Sequence, residues 1–267
     1  MNVKLPTSFS IDYPKENLSY YSSDNPSKRM GKLLIQASKG YCMYCGVSLD
    51  VEGMDIAQIE HSVDKKGNIN QKRNKNGKEE DTPLTNCKYN LAIACKDCNM
   101  KYKKSVKKVD LKNRFKTKCP QECEMPCQDY IELRNDYIEQ NKIILQPQGI
   151  YSQGKPYEIE YDLFKHLYIP FSNDVSDEEL VQQHIMRFRL NGEKFSESVL
   201  DICSDVVELY ELGIIDSKRL LDYIIRKKQI NVIGKIFLNN LYERFYNDTV
   251  DNLLKYCRTI VLCSAWI

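Results

Sequence analysis

Two short cysteine motifs dominate the chemistry available to this chain. Cys42-Met-Tyr-Cys45 and Cys95-Lys-Asp-Cys98 are C-x-x-C units separated by 49 residues. Each pair can turn two thiolates toward one point. Four thiolates about 2.3 Å from a Zn²⁺ ion make a closed tetrahedral site with no open coordination position. Such a zinc folds a domain and does no chemistry of its own. The cysteines number 11, an odd count, and Met1 to Lys15 lacks the apolar stretch of a secretory signal, so metal explains the clustered pairs better than disulfides. Cys119, Cys123 and Cys127 follow in KCPQECEMPCQ, with Cys87 as a fourth candidate, and a second zinc there stays open. Cys203, Cys257 and Cys263 lie on helical patterns and read as small core residues.

Between the two cysteine pairs stand residues that can move a proton or hold a cation. His61 is one of three histidines and follows the β-prone stretch Ala57-Gln58-Ile59, beside a carboxylate. An imidazole titrating near ~6.5 can take a proton from water at cellular pH. Glu60 precedes it, and on a strand adjacent side chains face opposite ways, so acid and base can serve different centres. Asn90 opens the apolar run Leu91-Ala-Ile-Ala-Cys95, and Asn99 follows the second cysteine pair at once. His166 and His184 fall in the helical half, where a structural role is the default.

Charge is concentrated around this region. The formal net charge is +2, yet residues 65 to 118 hold 17 Lys or Arg against five acids, which leaves the rest of the chain acidic. A basic block attracts polyanions, of which phosphate backbones are the commonest, and a solvated lysine-rich loop is the competing explanation. Lys101, Lys103, Lys104, Lys107 and Lys108 directly follow the second cysteine pair and are candidates to grip phosphates. Nearby aromatics are few, so backbone contact is expected over base stacking. No apolar run approaches the roughly 20 residues of a membrane-spanning helix. The chain therefore reads as soluble and intracellular, with the cytoplasm as expected compartment and no membrane partner.

The elements that must carry these residues follow from caps and periodicity. Ser27 to Ser38 places Met30, Leu33, Leu34 and Ala37 at helical spacing, with Gly40 as a stop. Asn68 to Asp81 is polar and reads as an excursion between ordered pieces. A boundary falls near residues 146 to 156, after which capped helical patterns dominate. Ser176-Asp-Glu-Glu179 predicts a capping box for a helix closed by Asn191-Gly192. Ser196 is read as the cap of a second helix whose face holds Val199, Ile202, Val206, Leu209 and Leu212, and Asp216 as the start of a third. Runs from about Ile230 to Tyr246 and Asp248 to Ser264 complete a bundle of at least five helices.

In order along the chain, Cys42-x-Tyr-Cys45, Ile59-Glu60-His61, Asn90-Leu91 and Cys95-x-x-Cys98-Asn99 resemble the HNH, or ββα-metal, endonuclease family over about Tyr41 to Lys104. The resemblance implies an α+β fold in which a zinc-stapled ββα-metal (HNH) domain is followed by a mainly helical domain. It also implies His61 as general base, Glu60 as the metal ligand before it, Asn90 as the central asparagine that orients the base or the scissile region, and Asn99 as the last motif position and second ligand of a catalytic Mg²⁺ or Mn²⁺. The lysine that family members carry shortly after that position is offset here, with Tyr102 between Lys101 and Lys103. A narrower resemblance, adding Ile185-Met-Arg-Phe-Arg-Leu-Asn-Gly192, is to the HNH subunit of Septu-type and retron-associated anti-phage systems. That one implies a defence role and an ABC-type ATPase partner.

The expected organisation is an N-terminal arm over 1–26, the HNH nuclease domain with its zinc knuckles over 27–118, a cysteine-containing connector over 119–150 and a helical domain over 151–267. The expected function is metal-dependent cleavage of nucleic acid, DNA foremost. A zinc-braced binding module without catalysis and a partner-binding scaffold are the alternatives.

Overall fold

The computed structural model describes residues 3–13, 25–51, 54–55, 57–64, 84, 87–104, 107, 125–144, 156–172, 174–213, 216–227 and 231–264. The excursion at Asn68 to Asp81, the boundary expected near 146 to 156 save its last residue, and Lys108, Cys119 and Cys123 lie outside them.

The first half is built from β1 (Val3–Leu5), α1 (Asn25–Ala37), β2 (Asp50–Val51), β3 (Met54–Asp55), β4 (Ala57–His61), β5 (Leu91–Cys95) and α2 (Gln128–Asn141). The second half has β6 (Ile159–Asp162), β7 (Leu167–Pro170), α3 (Val175–Arg187), α4 (Glu193–Glu211), α5 (Ser217–Lys227), α6 (Val232–Phe245) and α7 (Val250–Ser264). The molecule is thus α+β, with small sheets and a helical second half. The sheets are a three-stranded one in the order β1-β6-β7 and the pairs β2-β3 and β4-β5. No helix among the described residues is long and apolar enough to cross a membrane.

Strands β4 and β5 run antiparallel, with Ile59 opposite Ile93, Glu60 opposite Ala92 and His61 opposite Leu91. Residues directly opposite share a face. One face of the pair therefore carries Ile59, Ile93, Leu91 and His61, and the other Gln58, Glu60, Ala92 and Ala94. Helix α1 covers the first face, where Gly31 approaches Ile59 closely enough that an added Cβ would lie 3.7 Å from Cδ1. Met30 and Leu34 of α1 are buried and Gly40 ends the helix region with φ +82°, as its spacing and stop signal predict. On the second face, the small Ala92 and Ala94 leave room for the polar Gln58 and Glu60 and for the π-helical turn Asp97–Tyr102 that follows β5.

The N-terminal arm lies on the body as an edge strand, with Val3 opposite Tyr161 and Leu5 opposite Ile159. Farther along it, the Tyr13 hydroxyl donates to the Lys88 carbonyl at 2.6 Å, and its ring meets Tyr89 edge-on. The strands β6 and β7 interrupt a region that reads as helical from sequence. They are only four residues each, and Ile159, Tyr161 and Tyr168 point inward by simple alternation.

In the helical half, Asp216 caps α5 as predicted, accepting from the Arg219 amide at 2.9 Å. The α3 cap is Asp174 instead of Ser176: its carboxylate accepts from the amides of Ser176 and Asp177, which places Ser176 inside the first turn. Helix α4 begins at Glu193 after Gly192, so Ser196 is an interior residue. Val199, Ile202, Cys203 and Val206 of α4 are buried, as are Phe237 and Leu238 of α6 and Leu253, Cys257 and Ile260 of α7. Leu212, expected on the buried face, is exposed where the chain turns at Gly213, φ +88°. One contiguous set of buried apolar residues runs from Val3 through the cysteine knuckles to Ile260.

Candidate metal centre and histidine site

Cys42, Cys45, Cys95 and Cys98 come together with all four sulfurs within 4.8 Å of one another, and all four residues are buried. Sulfurs about 2.3 Å from a tetrahedral ion lie about 3.8 Å apart. Cys45 Sγ and Cys95 Sγ are separated by 3.9 Å. Burial pushes the Cys45 thiol well above its usual range, so holding several thiolates here calls for a compensating dication. The donor set and spacing fit a structural zinc. Among the described residues this is the one cluster of His, Cys, Asp or Glu able to hold a metal. Cys127 is exposed next to the start of α2, and Cys87 is buried apart from the four.

The first knuckle has the backbone its chemistry needs. Gly46 has φ +72° and its amide donates to the Cys42 carbonyl at 2.8 Å, closing the turn that aims both thiols inward. A Cβ at Gly46 would lie 2.4 Å from Val232 Cγ1 and 2.9 Å from Leu5 Cδ1, so glycine is required by conformation and by space. The Met43 amide donates to the Ile93 carbonyl at 3.0 Å, tying the knuckle to β5. The Gly46 carbonyl accepts from the Val232 amide at 2.8 Å, tying it to α6.

His61 ends β4, half-buried, and the backbone on its C-terminal side is held from two directions. The Ser62 amide donates to the Asn90 carbonyl at 2.7 Å. The side chain of Asn90, fully buried, grips the next residue: the Val63 amide donates to its Oδ1 at 2.8 Å, and its Nδ2 donates to the Val63 carbonyl at 2.9 Å. Asn90 therefore positions the turn two residues beyond the imidazole. Tyr130 of α2 backs this clamp, with its hydroxyl donating to the Tyr89 carbonyl at 2.9 Å and lying 3.3 Å from Asn90 Oδ1.

Glu60 points the other way, into the protein, and is 4 % exposed. The Tyr44 hydroxyl donates to its Oε2, and the Lys103 ammonium donates to its Oε1. Burial pushes this carboxyl up from its usual range, and the ammonium pulls it back. Burial and Glu60 together drive the Tyr44 phenol well above its ordinary value, which keeps it a donor. Lys103 also donates to the His61 carbonyl and, at 3.0 Å, to that of Ser62.

Two sequence expectations change here. Lys103 is not a phosphate-gripping surface lysine: it is 6 % exposed and its ammonium is committed inside. Its spacing explains this, because Asn99 and Lys103 are four residues apart on a helical turn, about 6 Å, which matches the roughly 6.7 Å from Gln58 to Glu60 along the strand. Accordingly Asn99 Nδ2 donates to Gln58 Oε1 at 3.0 Å. Both oxygens of Glu60, expected to face a divalent cation, thus receive hydrogen bonds from Tyr44 and Lys103, while Asn99 meets Gln58 through its amide nitrogen. Lys101, Lys104 and Lys107 are exposed as expected, and the Lys107 backbone is clamped by Asn141 of α2.

Tyr44, Tyr130, Arg134 and Tyr137 are interior residues beside the site that sequence reading did not single out. Arg134 is 1 % exposed, with Tyr130 beside its guanidinium. The signal was present: Tyr130, Arg134 and Tyr137 stand at i, i+4 and i+7, the spacing of one helix face. His184 is structural, as its default reading holds. The Ile144 amide donates to its Nδ1 at 3.3 Å, which assigns the proton to Nε2, 3.2 Å from the Tyr44 carbonyl. Comparison with protein-family models, curated proteins and solved structures returned no match.

Proposed function

We propose that this protein is an HNH-type endonuclease that hydrolyses phosphodiester bonds of nucleic acid, DNA foremost, in anti-phage defence alongside an ABC-type ATPase. The observation that carries the reading is the supported histidine. His61 ends a strand braced by a four-cysteine centre, the turn after it is gripped by Asn90, and a short helical segment bearing the exposed Lys101 and Lys104 packs on the same strand pair. A base held on a rigid backbone suits attack of water on a phosphodiester. In this reading His61 accepts a proton from water as its oxygen bonds to phosphorus, the opposite P–O bond breaks, and the departing oxygen is protonated from solvent. Lys101, Lys104 and Lys107 offset the phosphate charge, so binding weakens steeply with salt. The Mg²⁺ or Mn²⁺ ion that the family resemblance implies would need Glu60 to exchange its hydrogen bonds to Lys103 and Tyr44 for the metal.

The test is plasmid cleavage by the zinc-loaded chain with added Mg²⁺ or Mn²⁺, with and without the product of the neighbouring gene. His61→Ala is expected to lower the rate by about 10² to 10⁴-fold with zinc content and DNA binding intact. Undiminished cleavage by that variant removes His61 from the mechanism. The engagement of Glu60 by Lys103 favours one alternative, a zinc-braced nucleic-acid binding module without catalysis. Salt-sensitive DNA binding with no cleavage by any assembly would select it.

A further inference from the structure

Lys103 occupies an unusual seat. An ammonium has three protons to donate, and three oxygens receive them: Oε1 of Glu60 and the carbonyls of His61 and Ser62, the last at 3.0 Å. Two aromatic faces close the remaining sides, with Nζ 5.7 Å from the Tyr44 ring centroid and 5.8 Å from that of Tyr137. Tyr44 is itself fixed by its hydroxyl on the other oxygen of Glu60. Carboxylate and carbonyl oxygens would also suit a hard divalent ion, but Mg²⁺ and its relatives keep several waters and near-octahedral geometry. Ring faces offer no partner to such waters, whereas they attract a bare ammonium.

We propose that Lys103 is the resident cation of this strand pair: its ammonium, caged by Glu60, two backbone carbonyls and the rings of Tyr44 and Tyr137, takes the place of a divalent ion and excludes one from Glu60. The consequence for the proposed nuclease, on which the functional meaning rests, is that the charge fixing His61 and its turn is supplied by the chain itself. Lys103 is a positioning residue, acting through the His61 and Ser62 carbonyls and making no contact with substrate.

The experiment is Mn²⁺ binding by electron paramagnetic resonance, with thermal melts, on the zinc-loaded full chain. The native protein and Glu60→Gln are expected to bind the same number of Mn²⁺ ions with the same affinity. Lys103→Met is expected to lower the melting temperature by several degrees. Adding Glu60→Gln to it should restore most of that loss, because the buried carboxylate no longer lacks a partner, and saturating Mn²⁺ should not substitute for the second change. A Mn²⁺ ion bound by the native chain and lost in Glu60→Gln would overturn the proposal. So would Mn²⁺ raising the melting temperature of Lys103→Met as far as Glu60→Gln does. Should Lys103→Met not fold, the comparison of native protein with Glu60→Gln decides alone. Cleavage is scored separately: an inert protein sinks the nuclease reading and leaves the Mn²⁺ result standing, while a Glu60-dependent Mn²⁺ site sinks the caged lysine and leaves the nuclease.

Discussion

The hairpin region, residues 41 to 104, and the bundle of α4 to α7 bury different kinds of group. The hairpin region encloses Glu60, Lys103, Asn90, Ser62 and five cysteines, Cys87 besides the four that cluster. In α4 to α7 the buried side chains are apolar or thiol, with Ser217 and Asn231 buried only where α5 and α6 start. Burying apolar surface stabilises without direction, at about 25 cal/mol per Å². A buried ion pair adds little net stability, because desolvation offsets its attraction, but it demands particular partners at particular places. The hairpin is therefore the part of the molecule where position is specified and the bundle the part where stability is stored. A metal held by the four clustered cysteines would close the gap for the hairpin, and contacts such as Gly46 against Val232 lean one region on the other.

The largest expected effect breaks the comparison at the metal. Structural zinc sites contribute on the order of 10 kcal/mol of folding free energy. Stripping the metal with a chelator, or replacing Cys95 with Ser, is expected to collapse amide protection in β4 and β5 while α4 and α7 stay protected, as read by hydrogen exchange. Equal loss in both regions would show that the bundle has no stability of its own. The reciprocal experiment is Phe237→Ala in α6, a fully buried ring whose removal costs about 3 to 5 kcal/mol. Urea denaturation should show that loss with zinc stoichiometry unchanged.

What could be read in advance differs between the regions for the same reason. The bundle was legible because burial there follows a 3.6-residue period and because Gly213 and Asp216 are stop and start signals that act locally. The knuckles were legible because metal chemistry constrains spacing. Lys103 was not, since one lysine in a basic run looks like solvated surface until the strand it faces is known. Helix α2 was read as part of a cysteine-containing connector, its modest apolar content masking a face made of Tyr130, Leu133, Arg134 and Tyr137. Strands β6 and β7 escaped because four residues carry too little pattern, and β1, the other partner of β6, lies some 150 residues away in sequence.

A smaller effect sharpens the seam between the regions. His184 on α3 touches the backbone of both α2's exit and the first knuckle, and burial pulls its imidazole down to about 4. An unfolded histidine titrates near ~6.5. Above that pH both states are neutral and the native contacts are at full strength. Below it the unfolded chain binds a proton that the native one refuses, so stability falls with pH from about 6.5 to about 4, by roughly 3 kcal/mol in all. Carboxylates and thiolates add their own slopes, so the measurement is a difference: urea midpoints at pH 7 and pH 4.5 for native protein and His184→Gln. The native chain should lose more on acidification, and parallel losses would remove His184 from the seam.

The smallest effects come from one device used in both regions. Asn90 pairs with the amide and carbonyl of Val63, and Asn191 pairs with those of Tyr168 at 2.6 and 3.1 Å. The two clamps are chemically alike and differ in surroundings: Asn90 and Val63 are fully buried, whereas Asn191 is exposed at the free edge of β7. Removing a partner from a buried polar group costs about 1 to 3 kcal/mol, because no water replaces it; at a wet edge the loss is below about 1 kcal/mol. Asn90→Ala should therefore lower the melting temperature measurably and Asn191→Ala scarcely. The proposed role of His61 adds a second difference, since a loosened turn misplaces the base. Asn90→Ala is expected to reduce cleavage beyond what the lost folded fraction accounts for, and Asn191→Ala to leave it unchanged. Equal behaviour of the two variants, in stability and in rate, would mean that the hairpin's polar interior specifies nothing that the bundle's edge does not.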